Sequence, residues 1–332
     1  MTDEVTTMPI DVVLITGCPR SGSTLLAVML GEIEGYFCAG ELRHFWTRGV
    51  IGNGSCGCGM QVHDCSVWRA VVDASSFGGW DRIVAQRAIR FQRRLERTRR
   101  TRGLAAKADS RAPDPELAAY RETLHDLYGA VAAATGCRVL VDSSKNPRYA
   151  LALCGSPGIR VHVVHLVRDS RGVAYSMQKR KRRGTKDSIS HAPLMPRRSS
   201  LRSAVKYDLE NSLTHYAGRR GGSYLRVRYE DLVRSPRTVL ADISRHIGAG
   251  GNDPIPVNGS TLTLTENHTI SGNPMRFERG VVALQPDVEW KSRMALSHRI
   301  LVTAITSPFL VRYGYRLSDS PRRHQTDGPE TS

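Results

Sequence analysis

The sequence predicts an α/β protein built on a doubly wound, mostly parallel sheet flanked by helices. Three observations predict it. Short β-branched runs recur along the chain and are near-continuously apolar or tightly alternating, as strands buried in a parallel sheet are. Longer helix-compatible stretches separate them, and strand–helix alternation is the pattern of a parallel sheet. The first run also enters a glycine-rich turn that opens a helix, the local form of a phosphate-binding loop.

The expected strands are DVVLIT (Asp11 to Thr16), RVLVDSS (Arg138 to Ser144), IRVHVVHLVR (Ile159 to Arg168) and YLRVRYEDL (Tyr224 to Leu232). The expected helices are Ser23 to Glu32, Trp80 to Arg102, Pro115 to Ala134, Arg171 to Arg182 and Ser200 to Arg219. The apolar stretch ILVTAITSPFLV contains Pro308 and is too short to span a membrane, so it reads as a core helix. Residues 9–317 are expected to form one domain and 318–332 a disordered polar tail, while the basic segment from Lys179 to Ser200 reads as a long flexible loop. In a sheet of this kind, ligands sit beyond the carboxyl ends of the strands.

Composition narrows the classes. The chain has 332 residues, 40% of them hydrophobic, which is enough for a sizeable core and argues against global disorder. Lys plus Arg number 48 against 31 acidic residues, a net charge of +17 that favours a polyanionic partner: nucleic acid, an anionic membrane surface, or a polyanionic ligand. The N-terminal MTDEVTTMPI lacks a basic-plus-apolar leader, so a cytoplasmic protein is expected. Seven cysteines, an odd and scattered set, argue against a disulfide framework. The Arg- and Ala-rich usage suggests a bacterial source with high GC content.

The glycine-rich turn departs from the nucleoside triphosphatase pattern G-x-x-x-x-G-K-[ST]. Gly17 is followed by four residues and Gly22, but then comes Ser23 where that pattern has Lys. A cation stands earlier, at Arg20.

PRSGSTLL resembles the 5′-phosphosulfate loop of sulfotransferases that use PAPS (3′-phosphoadenylyl sulfate). HLVRDSRGVAYS (His165 to Ser176) is similar to the 3′-phosphate site of that superfamily, an Arg at a strand end and a Ser eight residues later on the next helix. NHTISGNPMRFERG (Asn267 to Gly280), DVEW and YGY resemble the C-terminal part of bacterial sulfotransferases. The resemblance implies a P-loop-NTPase-like sulfotransferase fold and a PAPS donor. It implies that Arg20 and the amides of Ser21, Gly22, Ser23, Thr24 and Leu25 hold the 5′ end, and that Arg168, Ser176, Arg276 and, next to it, Arg279 and Gly280 hold the 3′ end. No metal is assigned to the reaction, because no γ-phosphate has to be handled.

Sulfuryl transfer also needs a base for the acceptor hydroxyl or amine. CAGELRHFW offers Glu41 and His44. In the related tyrosylprotein sulfotransferases a Gly-Glu pair at similar distance supplies the carboxylate, which favours Glu41 and leaves His44 as the alternative. VDSSKNPRYA places Lys145 at a strand end, where the resemblance implies a cation near the transferring group; the plain alternative is a capping Ser and a surface Lys. The expected acceptor is a small molecule, glycan or glycolipid, with peripheral membrane contact allowed and no nucleic acid.

Two features are not absorbed by that reading. Cys56, Cys58, His63 and Cys65 cluster in a Gly-rich stretch without the usual C-x₂-C spacing, so unpaired thiols are expected first, with zinc or a local disulfide as alternatives. RIVAQRAIRFQRRLERTRRTRG reads as a basic amphipathic helix, with Ile83, Ala88, Ile89 and Leu95 on an apolar stripe. Two rival functions fit the sequence less well. A P-loop kinase is disfavoured by Ser23 in the lysine position, and a nucleic-acid-binding protein lacks any recognised motif.

Overall fold

The computed structural model describes residues 9–97, 101–110, 114–179, 198–250 and 257–318. The element order is β1 (Ile10–Thr16), α1 (Ser23–Gly31), β2 (Tyr36–Gly40), α2 (Ser66–Asp73), α3 (Arg82–Leu95), α4 (Thr101–Asp109), α5 (Pro115–Thr135), β3 (Val139–Lys145), α6 (Pro147–Leu153), β4 (Ile159–Val167), α7 (Ser170–Gln178), α8 (Ser200–Gly218), β5 (Ser223–Arg228), α9 (Tyr229–Arg234), α10 (Pro236–His246), β6 (Val257–Asn258), β7 (Thr261–Leu264), β8 (Gly280–Ala283), α11 (Trp290–Arg293) and α12 (Leu296–Arg312). Helical turns at Leu42–His44 and Phe45–Ile51 connect β2 to α2.

The main sheet has the order β2-β3-β1-β4-β5, and every neighbouring pair in it is parallel. Alternate residues of β1 feed two cores. Val12 and Leu14 pack with Leu140, Val161 and Val163 and the α2–α5 side, while Val13 and Ile15 pack with Val141, Val164, Leu166 and α1. That double burial is why the strands read as apolar runs rather than as clean alternations. A small antiparallel sheet, β6-β7-β8, lies apart from the main one and contributes Leu262 and Leu264 to the second core.

Helix ends follow local chemistry. Asp114 accepts from the Leu117 N–H, Pro115 occupies the first turn of α5, and Gly136 at φ 63 closes it. Asn146 caps α6 through the Arg148 N–H, so the alternative of a capping Ser after β3 does not hold.

The structure revises several boundaries. The run Tyr224 to Leu232 is a strand only to Arg228; Tyr229–Arg234 turns into helix, with Glu230 and Asp231 in its first turn. β2, α2, α6, α10 and the small sheet were not anticipated. α3 ends at Leu95, and the next helix begins at Thr101. On α3, Ala88 and Leu95 are buried, whereas Ile83 is 77% exposed and lies off the apolar stripe. The stretch around Pro308 does form a helix, α12. Among the described residues, no helix is long and apolar enough to cross a membrane. The expected loop at 180–197 and tail at 319–332 lie outside the described residues.

Candidate active site

β1 is flanked by β3 and β4, so the sheet order reverses around it, and a crevice opens beyond its carboxyl end. A cavity of about 480 Å³ occupies that position. Each of the five parallel strands delivers a lining residue just past its end: Arg20 after β1, Glu41 after β2, Lys145 at the end of β3, Arg168 after β4 and Tyr229 after β5. Four arginines and three lysines line the cavity against two carboxylates, Glu41 and Asp287. Gly22, Ser23, Thr24, Leu25 and Ser176 also line it, while Ser21 is buried beside it.

The loop is shaped by close approach. Gly17 and Gly22 have φ 128 and 94; a Cβ on Gly22 would lie 2.6 Å from the Tyr229 ring, and one on Gly17 would lie 2.6 Å from the Leu166 carbonyl oxygen. Arg20 and Lys145 adopt φ 77 and 62 without being glycine, a conformation that costs roughly 1–2 kcal/mol each. Both strained residues face the cavity, where such strain concentrates in functional sites. α1 carries no acid in its first turn, so its amide end stays electropositive.

Arg20 is linked by hydrogen bonds to both Arg168 and Ser176. Arg20 Nε donates to Ser176 Oγ at 3.1 Å, and Arg168 Nη1 donates to the Arg20 carbonyl at 3.2 Å. Arg168 also pairs with Asp287 Oδ2 at 3.1 Å and stacks over Tyr229 at 4.6 Å. Burial, and then the like charge of Arg168, lower the Arg20 guanidinium from its usual range. Arg168 therefore does not pair with its neighbour Asp169, which holds Arg171 at 2.7 Å instead.

A second group stands around Glu41. Lys145 Nζ donates to Glu41 Oε1, and His44 Nε2 lies 3.4 Å from Oε2. Burial pushes the Glu41 carboxyl up, but the Lys145 ammonium, His44 and the Lys145 hydrogen bond outweigh it, so the carboxyl is held below the usual range. Burial pushes His44 down to about 4, leaving a neutral imidazole at pH 7. Glu41 lines the cavity and His44 does not. Asp142 sets this geometry from inside β3: its Oδ1 accepts from the Leu42 N–H at 3.4 Å and from Ser144 Oγ at 2.5 Å, and its Oδ2 accepts from Tyr128. Ser144 Oγ in turn accepts from the Arg43 N–H at 3.0 Å. The turn bearing Glu41 is thus fastened to the strand bearing Lys145.

The segment 267–280 folds over the same cavity, but three of the residues expected there, Arg276, Arg279 and Gly280, are not among those that line it. Gly272, Asn273 and Met275 line it, and the Asn273 N–H donates to Thr24 Oγ1 at 3.3 Å. Arg276, however, is buried away from the cavity; its Nη1 donates to the Thr269 carbonyl at 2.7 Å and its Nη2 to the Ser55 carbonyl at 2.8 Å. Arg279 Nη2 donates to the Gly57 carbonyl at 2.5 Å. A buried guanidinium needs such acceptors, and these tie its segment to the 52–65 loop instead of facing a ligand. Gly280 begins β8 and does not line the cavity.

The sequence reading did not single out Arg48, Lys206, Tyr229 or Asp287 as lining residues. Asp287 lies in the DVEW motif, and Tyr229 lies in the run read as a strand and follows β5 directly; Arg48 and Lys206 carry no local signal, because only folding brings them to the cavity.

Fold and site together define an α/β protein with a cavity suited to a strongly anionic ligand, set against a carboxylate–lysine pair. The comparisons name the class more closely: the chain belongs to the sulfotransferase family, whose model matches residues 12–253. No curated protein matches the sequence. Among solved structures, the chain is similar to the sulfotransferase domain from the Synechococcus PCC 7002 olefin synthase, at 20% identity over 95% of this chain and 97% of that one, with a TM-score of 0.46. It is also similar to the sulfotransferase domain from the curacin biosynthetic pathway, at 17% identity over 94% and 100%, TM-score 0.48. A sulfotransferase from Alicyclobacillus acidocaldarius matches at 13% identity over 90% and 92%, TM-score 0.41.

Proposed function

We propose that this sulfotransferase uses PAPS as donor and transfers its sulfuryl group to a hydroxyl or amine, with Glu41 as base. The observation that carries the reading is the meeting, in one cavity, of a lysine-free phosphate-type loop, a cationic cluster and the Glu41–Lys145 pair. The donor set fits PAPS, which bears anionic groups at both its 3′ and 5′ positions: seven cationic side chains face two carboxylates there. When bound, PAPS supplies a sulfuryl group already activated on a phosphosulfate anhydride.

The chain's residues divide the remaining work. The amides of the α1 end and Arg20 bind the phosphosulfate end, and Arg168 with Ser176 binds the 3′-phosphate. Lys145 supplies the positive charge that the loop lacks, close to the reacting group. Glu41 accepts the acceptor's proton at its carboxylate. While Lys145 holds it, Glu41 is a weak base. Drawing the ammonium toward an anionic donor leaves burial as the dominant influence and raises its proton affinity. The base would thus strengthen when the donor is in place.

The acceptor is proposed to be a small molecule, glycan or glycolipid. Thermal shift with 3′,5′-ADP, ATP-Mg²⁺ and duplex DNA tests the donor. Stabilisation by 3′,5′-ADP alone is expected; a shift only with ATP-Mg²⁺ or DNA refutes it. Incubation with ³⁵S-PAPS and an extract of the source organism identifies the acceptor class.

A further inference from the structure

We infer that Cys56, Cys58, Cys65 and His268 form a structural zinc site that locks the 267–280 segment over the cavity. The inference is independent of the donor reading. One ligand atom from each of these four residues lies within 4.8 Å of every other. Cys65 Sγ is 3.3 Å and Cys56 Sγ 3.9 Å from His268 Nδ1. A tetrahedral zinc with Zn–S near 2.3 Å needs ligand-to-ligand edges of about 3.6–3.8 Å, so the four atoms can close on one ion with shifts of about 1 Å. His63, the imidazole expected from the sequence, is elsewhere, stacked on Trp80 at 4.2 Å. The fourth ligand comes instead from a residue 203 positions beyond Cys65.

The surroundings are those of a built site. Cys56 and Cys65 are buried. The first two thiols sit on a tight reverse turn: the Cys56 N–H donates to the Met60 carbonyl at 2.8 Å, the Gly59 N–H to the Cys56 carbonyl at 2.9 Å, and Ser55 bridges Gln61. Between those thiols, Gly57 passes so near Asn267 and Thr269 that any Cβ would collide with them. Its N–H donates to the Thr269 carbonyl at 2.9 Å. From α2, Trp68 Nε1 donates to the His268 carbonyl at 2.8 Å, fixing the backbone of the ligand. The second ring nitrogen, Nε2, lies 3.8 Å from Glu266 Oε1, the outer carboxylate that commonly orients a zinc-bound imidazole.

Three thiols and an imidazole select zinc among common divalent ions, because soft sulfur ligands and tetrahedral geometry suit it. Binding releases the thiol protons to solvent, the thiolates and the neutral Nδ1 donate their lone pairs, and no redox partner is required. All four positions are filled by protein, which makes the ion structural rather than catalytic. Its mechanical role follows from what it joins. The 52–65 loop and the 267–280 segment are already bridged by Arg276 and Arg279, and the latter segment carries Gly272, Asn273 and Met275 into the cavity wall.

The test is metal analysis of the full chain, purified reduced, without chelator and without added zinc. About one zinc per chain is expected in the parent protein and in His63→Ala, with at least a tenfold loss of zinc affinity in Cys65→Ser and His268→Ala. Because those variants can misfold, the unmodified protein is also stripped and reloaded with Co²⁺. One equivalent should give the visible bands of a tetrahedral site together with thiolate-to-cobalt charge transfer. Stripping should lower Tm, and zinc should restore it. The inference is overturned by a metal-free protein that gives no tetrahedral cobalt spectrum, by a Cys56–Cys65 disulfide in unreduced digests, by zinc that depends on His63, or by bound iron in place of zinc.

Discussion

Replacing Glu41 by Gln isolates the proposed base from its surroundings. The substitution keeps the side chain's shape and an oxygen that can still accept from Lys145 Nζ, but it removes the charge and the capacity to take a proton. General-base assistance is worth about 10²–10⁴ in rate. That corresponds to about 2.7–5.5 kcal/mol of barrier at about 1.36 kcal/mol per decade. Donor binding should behave differently. Seven cations face two carboxylates around the cavity, so loss of one negative charge leaves an anionic ligand no less welcome. The expected outcome is therefore a fall in kcat by about two to four decades with the 3′,5′-ADP Kd unchanged or tighter. Single-turnover transfer of ³⁵S from PAPS to the labelled acceptor pool reads the first, and calorimetry with 3′,5′-ADP reads the second. Turnover within about threefold of the parent would remove Glu41 from the role. A parallel loss of 3′,5′-ADP affinity would instead mean that Glu41 shapes the donor site.

Three further outcomes follow from the same geometry. Lys145→Met leaves burial unopposed by the ammonium, so the Glu41 carboxyl rises and the acid limb of the pH–rate profile moves to higher pH, with turnover falling by about 10²; an unchanged rate would make Lys145 a surface lysine. Arg168→Ala removes a charge-assisted contact of about 1.5–3 kcal/mol, weakening 3′,5′-ADP by roughly 10- to 150-fold with a smaller change in Tm than in Kd; unchanged affinity would refute its assignment to the 3′-phosphate. His165, fully buried between Tyr224 and Asn211, is pushed down to about 3 by burial. The unfolded chain therefore binds its proton first as pH falls, so its stabilising contribution is complete above about pH 6.5 and is lost toward pH 3, on the order of 5 kcal/mol in all. Denaturant titrations from pH 7 to 4 should show most of this loss on top of those of His44 and His215, both pushed down to about 4 by burial, and His165→Gln should make the slope shallower; an equal slope in the variant would refute the assignment.

The central strands of the sheet and one side of the cavity are legible in the chain. Val12 to Ile15, Val139 to Val141 and Ile159 to Val167 declare themselves as strands because both their faces are buried, and that leaves a run of apolar residues with no helical period. The glycines at 17 and 22 declare the loop, because only that residue tolerates such φ values and such close neighbours. Arg20, Arg168 and Lys145 were legible because each follows or ends a strand or loop that the sequence announces, whereas Glu41 was legible only through the resemblance of its Gly-Glu pair, since the strand before it did not stand out. β2, at Tyr36–Gly40, was too short and too mixed to stand out, and the end of β5 was hidden by the tyrosine and leucine of α9.

Which long-range partners meet depends on packing alone. Arg276 and Arg279 carry the charge a phosphate wants, yet their guanidinium groups donate to the carbonyls of Ser55, Thr269 and Gly57; for Arg276, a buried cation, whatever acceptors fold against it must satisfy it. His63 was the imidazole nearest the cysteines in the chain, and His268 is the one nearest in space. Periodicity and local motifs report on residues within a few positions of one another. They carry no information about a contact made across more than two hundred residues, which arises only when the core has packed.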